Sequence, residues 1–272
     1  MLPLCKSGTI DLVTVIPYFY PEQMPLHAWQ NDLLWRKPEE TRSGANALEF
    51  DIPETAAIFE KEAVRNGVKF MMWNTASGYG IIFRGKATKL ADVAGKKLRT
   101  TGLQGVAISE FGGVPSSVAL SEAYDAISRG VIDGTTGALA MCMALKLYEV
   151  TKSYIDIGRD QGSAPLILNL TKWKSLPSSV QEAMRSATRE TLLYDKELDL
   201  GFRKKGFETM SGKGLAVTRF EELPAEEQKK MDAIWERILG VDWLGRMEKR
   251  GLGEEAKVIY KHYQKLLEQY RK

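Results

Sequence analysis

The fold is decided by residues 95–158, which contain the segments GKKLRTTG (95–102), GGVPSSVALSEAYDAISRGVIDG (112–134) and LKLYEVTKSYIDIG (145–158). Short apolar, β-branched runs alternate in this stretch with longer runs of helical period, and glycines separate them. The pattern predicts, in chain order, a strand at 97–101, a helix at 104–111, a helix at 121–129, a strand at 131–133 and a helix at 138–149. Such alternation favours an α/β fold.

Arg99 stands near the end of the first predicted strand, and the next helix is predicted to begin just beyond Gly102. The N-terminus of a helix presents free N–H groups and favours an anion. A guanidinium binds a carboxylate through two parallel hydrogen bonds, which a lysine cannot reproduce. Thr135 and Thr136 follow the 131–133 strand, at the kind of strand end where α/β sheets bind small molecules. We therefore predict a carboxylate site at Arg99. The alternative is an ordinary surface arginine.

Composition excludes several other functions. The length of 272 residues favours two domains, and 44% hydrophobic with 27% charged residues is enough for a sizeable core. The net charge of +3 is small, so nucleic-acid binding is not expected. Two cysteines and two histidines cannot build a close-spaced zinc site, and no phosphate-binding loop or nucleophile motif is present. We expect no cofactor and no metal. Cys142 lies in an apolar helical run and is predicted to be a buried, unreactive thiol, although a disulfide with Cys5 stays open.

The order of these segments resembles the solute-binding proteins of tripartite ATP-independent periplasmic (TRAP) transporters, the DctP family. The likeness continues through LCKSGTIDL (4–12), YFYPEQMPL (18–26), GKATKLADVAGKKLR (85–99) and LILNLTKWKSLPSSVQEAM (166–184). Val93 stands where the family usually has leucine. The resemblance covers essentially the whole chain and depends on several motifs in the correct order rather than on any single one.

The resemblance implies an α/β fold of the periplasmic-binding-protein type, a two-lobed clamshell with discontinuous domains and a long connecting helix, predicted at 178–198. The first lobe would comprise residues 1–76 and 163–200, and the second lobe 77–162 and 201–272. Residues 75–78, a small-residue loop between two predicted strands, would serve as a hinge. Family members begin with a signal peptide, a strand and a helix, whereas this chain opens with MLPLCKSGTIDL (1–12). We therefore expect the N-terminal strand and helix of the first lobe to be missing.

The same resemblance suggests which residues contact the ligand. Relatives that bind sugar acids carry a second arginine where this chain has Tyr79, and many carry Glu-Asn where it has Thr136 and Gly137. In the first lobe, Ile16 and Phe19 lie where those relatives place charged contacts. The loss of polar groups predicts a mostly apolar or aromatic pocket. The predicted ligand-binding residues are Arg99, Tyr79, Trp73, Phe19, Ile16, Leu120, Thr135, Thr136, Gly137 and Asn169.

Three of these residues have an equally simple structural interpretation. Phe19 could be a core residue, because the three consecutive aromatics at 18–20 cannot all face one side of a strand. Trp73 could be either a core residue or a stacking surface for the ligand. The amide of Asn169 could complete a turn instead of binding a ligand. Trp173, in contrast, is predicted to be a packing anchor for the helix that begins at Ser178.

The function implied is that of an extracytoplasmic, periplasmic solute-binding protein. It would capture a small organic anion, an apolar or aromatic monocarboxylate, and deliver it to the small and large integral membrane subunits of a TRAP transporter. One alternative is a sensory ligand-binding module. An enzyme on the same clamshell fold is disfavoured, because the expected cleft lacks a histidine or cysteine and its best acids, Glu122 and Asp133, have structural explanations.

Overall fold

The computed structural model of the protein describes residues 1–32, 34–35, 44–100, 102–162 and 164–270. Thr101, at the end of a predicted strand, and Ser163, near a predicted domain crossing, lie outside these residues. The strands are β1 (Leu12–Thr14), β2 (Leu34–Trp35), β3 (Val68–Met72), β4 (Thr75–Phe83), β5 (Lys97–Arg99), β6 (Val114–Ser116), β7 (Gly134–Ala138), β8 (Ser153–Gly162), β9 (Leu166–Asn169) and β10 (Ala216–Thr218).

The α-helices are α1 (Leu2–Lys6), α2 (Pro25–Asp32), α3 (Pro53–Arg65), α4 (Leu103–Glu110), α5 (Ala123–Ser128), α6 (Leu139–Ala144), α7 (Leu170–Ser175), α8 (Ser178–Gly212), α9 (Ala225–Arg237), α10 (Leu244–Lys249) and α11 (Gly253–Tyr270). Two π-helical segments, Ala47–Asp51 and Ile238–Trp243, precede α3 and α10. Within the described ranges, none of the helices has the length and hydropathy needed to cross a membrane.

The chain forms two compact units, each assembled from separate segments of the sequence. Unit 1 comprises Met1–Thr75, Gln161–Leu198 and Asp242–Lys272. Unit 2 comprises Ala76–Asp160 and Asp199–Val241.

Unit 1 contains an antiparallel sheet in the order β1-β9-β3, with Leu12 opposite Leu168 and Val68 opposite Asn169. Successive side chains of a strand point to opposite faces, so the sheet buries two apolar clusters. Val68, Phe70 and Ile167 share one cluster with Trp73. The other face packs Met71 and Leu168 against Trp173. Trp173 is the anchor that the sequence predicts: its carbonyl accepts from the Gln181 side chain in the first turns of α8.

The C-terminal segment belongs to unit 1, and here the predicted assignment of residues 201–272 to the second lobe is wrong for 242–272. Trp243 stacks on Trp29 with 4.1 Å between ring centroids, and Tyr263 meets the edge of Trp29 at 5.7 Å. The helix α11 buries a stripe at helical spacing, Ala256, Ile259, Tyr263 and Leu266. Aromatic packing across more than 200 residues of sequence therefore decides the place of this segment.

Unit 2 contains a sheet in which consecutive neighbours are β10, β8, β4, β7, β5 and β6. Strand β5 lies between β6 and β7 and is parallel to both, whereas β4 is antiparallel to β7. The strands approach closely: a Cβ added at Gly134 would lie 2.1 Å from the carbonyl oxygen of Ile82, so only glycine fits there. Because β5, β6 and β7 are parallel, their C-terminal ends lie at one edge of the sheet.

Two local predictions in unit 2 need correction. Residues 131–133 do not form the predicted strand but follow the end of α5: Val131 N–H donates to Ala126 O at 2.8 Å, and Gly130 N–H donates to Ile127 O with φ of 73° at Gly130. This is the usual glycine-terminated helix end, and the strand is β7, which begins at Gly134 and includes the two threonines that were predicted to follow the strand. Residues 75–78, the predicted hinge loop, are the first part of β4.

A buried charged network organises the interior of unit 1. The imidazole of His27 is fully buried, with Nδ1 2.5 Å from Glu62 Oε2 and Nε2 3.1 Å from Glu49 Oε1. The ring stacks on Phe70 with 3.9 Å between centroids. Glu62 also accepts the backbone N–H groups of Leu26 and His27, at 3.1 and 2.9 Å, and so completes the first turn of α2.

The charge of this network depends on pH. Burial by itself lowers the pKa of His27, but the carboxylates of Glu49 and Glu62 outweigh burial and raise the pKa to about 9. In the unfolded chain the histidine pKa is about 6.5. Its folded pKa is therefore the higher one, so the stabilisation is complete below pH 6.5 and is lost as the pH rises through about 9.

We predict that the free energy of unfolding falls by about 3 kcal/mol as the pH rises from about 6.5 to 9, because the folded protein loses its imidazolium over that interval. Urea denaturation at a series of pH values measures this. The variant His27→Gln should be less stable at pH 7 and should lack this slope. A His27→Gln curve parallel to that of the wild type would contradict the prediction.

The matched control is His262→Gln. His262 Nε2 lies 2.5 Å from Glu54 Oε2 on the surface of unit 1. A surface pair of this kind contributes little to stability. The His262→Gln protein should therefore keep the wild-type slope.

Candidate functional site

Arg99 is a buried cation at the C-terminal end of β5. Its backbone pairs with Ser116 of β6 and with Thr135 of β7, and the residue is 7% exposed. The guanidinium Nε donates to the carbonyl oxygen of Val118 at 3.3 Å. The preceding residue, Leu98, points to the opposite face of the sheet and is completely buried. The strand therefore directs Leu98 into the core and holds the guanidinium at a fixed place on the other face.

Strand β7 brings both predicted threonines next to Arg99. Thr135 Oγ1 donates to the backbone carbonyl of Arg99 at 3.2 Å. Thr136 Oγ1 donates at 3.0 Å to Oε1 of Gln104, in the first turn of α4. Both threonines are almost completely buried. The Thr135 hydroxyl therefore connects β7 to β5, and the Thr136 hydroxyl connects β7 to α4.

Gln104 is a site residue that the sequence prediction missed. Its Oε1 accepts from Thr136 and also from the hydroxyl of Tyr79 in β4, at 3.0 Å, and the residue is 4% exposed. The predicted helix start was the available signal, because it placed Gln104 just after the Arg99 strand. The role of its amide follows only from the approach of β4 and β7.

The remaining unit 2 candidates have different surroundings. Leu120 is half-buried in the turn Leu120–Glu122, just after the carbonyl that binds Arg99. Gly137 pairs with Gly80 of β4, and a Cβ there would lie 2.2 Å from the Met141 side chain. Because the end of the Met141 side chain is flexible and can move, packing does not require glycine at 137, and the role of Gly137 as a ligand contact stays a prediction. The structure brings together Arg99, Tyr79, Thr135 and Thr136, with Gln104 added.

The other four candidates lie in unit 1, not in the unit that contains Arg99. Trp73 is completely buried, and its indole Nε1 donates to Glu49 Oε2 at 3.5 Å. Asn169 ends β9 and caps α7: Oδ1 accepts from Lys172 N at 2.8 Å, and Nδ2 donates to Cys5 O at 2.8 Å. The structural interpretation therefore accounts for Trp73 and Asn169. Ile16 and Phe19 are exposed, and their role as ligand contacts stays a prediction.

A second buried ion pair lies in unit 2. Asp156 is 1% exposed. Burial raises its pKa, whereas Arg203, whose Nη2 lies 2.6 Å from Asp156 Oδ2, lowers it.

Both cysteines are free and buried, and burial raises the pKa of Cys142 to about 12, so this thiol is unreactive. Among the described residues, no group of three or more histidine, cysteine or acidic side chains could hold a metal ion.

The chain has an α/β fold in two compact units, and solved structures share this fold. A TRAP periplasmic solute-binding protein from Marinobacter aquaeolei VT8, in its apo open structure, is similar, with a TM-score of 0.80 and 18% identity over 97% of this chain and 84% of that chain. A TRAP solute-binding protein from an unidentified marine microbe, specific for pyroglutamate, has a TM-score of 0.78 and 18% identity over 97% and 82% of the two chains. At these identities the likeness shows the fold, which confirms the predicted fold class.

Residues 49–240 match the family model for bacterial extracellular solute-binding protein family 7, DctP. The chain belongs to this family, as its sequence motifs predicted, and the family is one of binding proteins rather than enzymes. A curated relative is the C4-dicarboxylate-binding periplasmic protein DctP of Rhodobacter capsulatus, 29% identical over 242 residues, which cover 87% of this chain. The match spans 65% of the length of that relative.

We predict that Tyr79→Phe and Thr136→Val each lower the free energy of unfolding by about 1 kcal/mol, because each removes one hydrogen bond to Gln104 Oε1. The double variant should lose more than the sum, because it removes both of these donors from one buried oxygen. Urea denaturation of the wild type, the two single variants and the double variant gives the double-mutant cycle that measures this difference. Strict additivity would show that the two hydroxyls do not share this acceptor.

The control is Tyr148→Phe. Tyr148 is half-buried in the same unit, and its hydroxyl forms no hydrogen bond in the described part of the chain. Its replacement should change the free energy of unfolding by less than about 0.5 kcal/mol.

Proposed function

We propose that the protein is a periplasmic solute-binding protein that captures a small organic acid and delivers it to the membrane subunits of a TRAP transporter. The observation that carries the proposal is the buried Arg99 at a strand end, in a chain that belongs to solute-binding protein family 7. The named relatives support the class of ligand. One is described as binding C4-dicarboxylates and another as specific for pyroglutamate, and both kinds of ligand carry a carboxylate.

The chemical role of Arg99 is to bind the carboxylate of the solute. Its Nε bond to Val118 O sets the plane of the guanidinium. The planar group can then approach a carboxylate through two parallel hydrogen bonds. Because only 7% of the residue is exposed, the local dielectric is low, and the charge pair is stronger than it would be on the surface.

We further propose that the solute has one carboxylate and an apolar or aromatic body. The hydroxyl groups of Tyr79 and Thr136 both donate to Gln104 Oε1 within the protein. The two hydroxyl groups next to Arg99 therefore already have an acceptor within the protein, which favours a ligand with one strongly polar end.

A thermal-shift series tests the ligand class. Benzoate, 4-methyl-2-oxovalerate and pyroglutamate should raise the melting temperature more than succinate and malonate, because a second carboxylate would have to lose its hydration without a second cation. Shifts with the dicarboxylates and none with the monocarboxylates would refute the proposed specificity and leave the broader solute-binding function standing. No shift with any acid in the series would contradict both.

Arg99→Lys tests the binding group itself. This change keeps the charge but removes the two-bond geometry, so the dissociation constant of the tightest acid of the series should rise tenfold or more, as measured by calorimetry. Far-ultraviolet circular dichroism should be unchanged. The matched variant is Arg237→Lys, because Arg237 is an exposed guanidinium on α9 bonded to Glu110. Unchanged affinity in Arg99→Lys would remove Arg99 from the site.

A further inference from the structure

A pocket lies in unit 2, at the sheet edge opposite the C-terminal end of β5. Its volume is about 290 Å³. Three cationic side chains line it, Arg84 and Lys86 after the end of β4 and Lys96 before the start of β5, together with one acid, Asp133. Lys96 and Arg99 are three residues apart along an extended strand, roughly 10 Å. The pocket is therefore distinct from the proposed carboxylate site.

The backbone that forms this pocket is held in place. Arg84 N–H donates to Asp133 O at 2.7 Å, and Ser153 Oγ both donates to Gly85 O and accepts from Ala87 N–H. These bonds anchor both ends of the segment 84–87. The pocket floor is thus defined before any ligand arrives.

The guanidinium of Arg84 is also confined. It lies over Gly130, where a Cβ would be only 2.5 Å from Nη1. Gly130 ends α5 with a positive φ of 73°, so glycine both closes the helix and leaves room for the arginine. A side chain at position 130 would therefore displace the Arg84 guanidinium.

The charges of the pocket do not cancel. None of Arg84, Lys86 and Lys96 forms an ion pair in the described part of the chain, and all three are exposed. Asp133 offsets one of the three positive charges, and its Oδ2 already accepts from Lys97 N–H at 2.8 Å. Cations of one sign around a concave surface raise the local concentration of anions.

We infer that this pocket binds a phosphate group, either free or as part of a small phosphate ester or lipid headgroup. A phosphate monoester carries between one and two negative charges at neutral pH, which matches the excess of two positive charges here. Arginine and lysine N–H groups form charge-assisted hydrogen bonds to phosphate oxygens. The volume is small for a binding site and suits a phosphate with a short substituent better than a larger solute.

The test is a titration of the nitrogen-15-labelled protein with inorganic phosphate at low ionic strength. The NMR chemical shifts of the Gly85, Lys86 and Lys96 amides report binding. We expect saturable shifts that weaken at higher salt. The double variant Lys86→Ala/Lys96→Ala should bind phosphate at least tenfold more weakly. Lys229→Ala, at an exposed lysine of α9 outside the pocket, should bind as the wild type does. The inference would be overturned if sodium chloride at the same ionic strength produced the same shifts. It would also be overturned if all variants bound phosphate equally well.

Two further titrations identify the source of the phosphate. Glycerol phosphate represents free esters, and vesicles of phosphatidylglycerol, compared with phosphatidylcholine, represent a lipid headgroup. Binding of either that is lost in the double variant and displaced by inorganic phosphate supports the pocket. Vesicle binding that inorganic phosphate does not displace would overturn it. The double variant should bind the organic acid of the Arg99 site with unchanged affinity, so failure of one proposal is distinguishable from failure of the other.

Discussion

The constraint on which unit 2 depends is the burial of the Arg99 guanidinium. A charge with so little exposure needs hydrogen-bond acceptors, and β5, which lies between two parallel strands, fixes the position from which Arg99 reaches one. The segment after β6 provides the Val118 carbonyl. Strand β7 provides threonine hydroxyls that hold the Arg99 backbone and Gln104 in place. The site is therefore a consequence of strand order.

Unit 1 also buries charged groups, but there they stabilise the fold. His27 is enclosed between Glu49 and Glu62, and Glu62 completes the first turn of α2. His27, Glu49 and Glu62 all belong to unit 1, so the network stabilises that unit and makes its stability depend on pH. Removing one partner would leave buried charge uncompensated, which is the costly event in such networks.

The two cationic sites of unit 2 differ in how far their charges are buried. Arg99 is buried and fixed by the sheet, so it can hold one carboxylate strongly. Arg84, Lys86 and Lys96 are exposed, so salt screens their interactions and a ligand would bind more weakly and reversibly. The chain has a net charge of only +3, which does not reveal this local excess. Charge distribution depends on the fold, whereas composition records only the sum.

The sequence by itself determined the family, the α/β class, the place of Arg99 at a strand end and the role of Trp173 as an anchor, because these depend on local periodicity and on motif order. It did not determine that Thr135 and Thr136 lie within a strand, that 242–272 joins unit 1, or that Gln104 receives two hydroxyl donors. Strand register, the stacking of Trp243 on Trp29, and the approach of Tyr79 to Gln104 decided those features. Each brings together residues far apart in the chain, and local sequence preferences carry no information about such contacts. Only the tertiary structure could decide them.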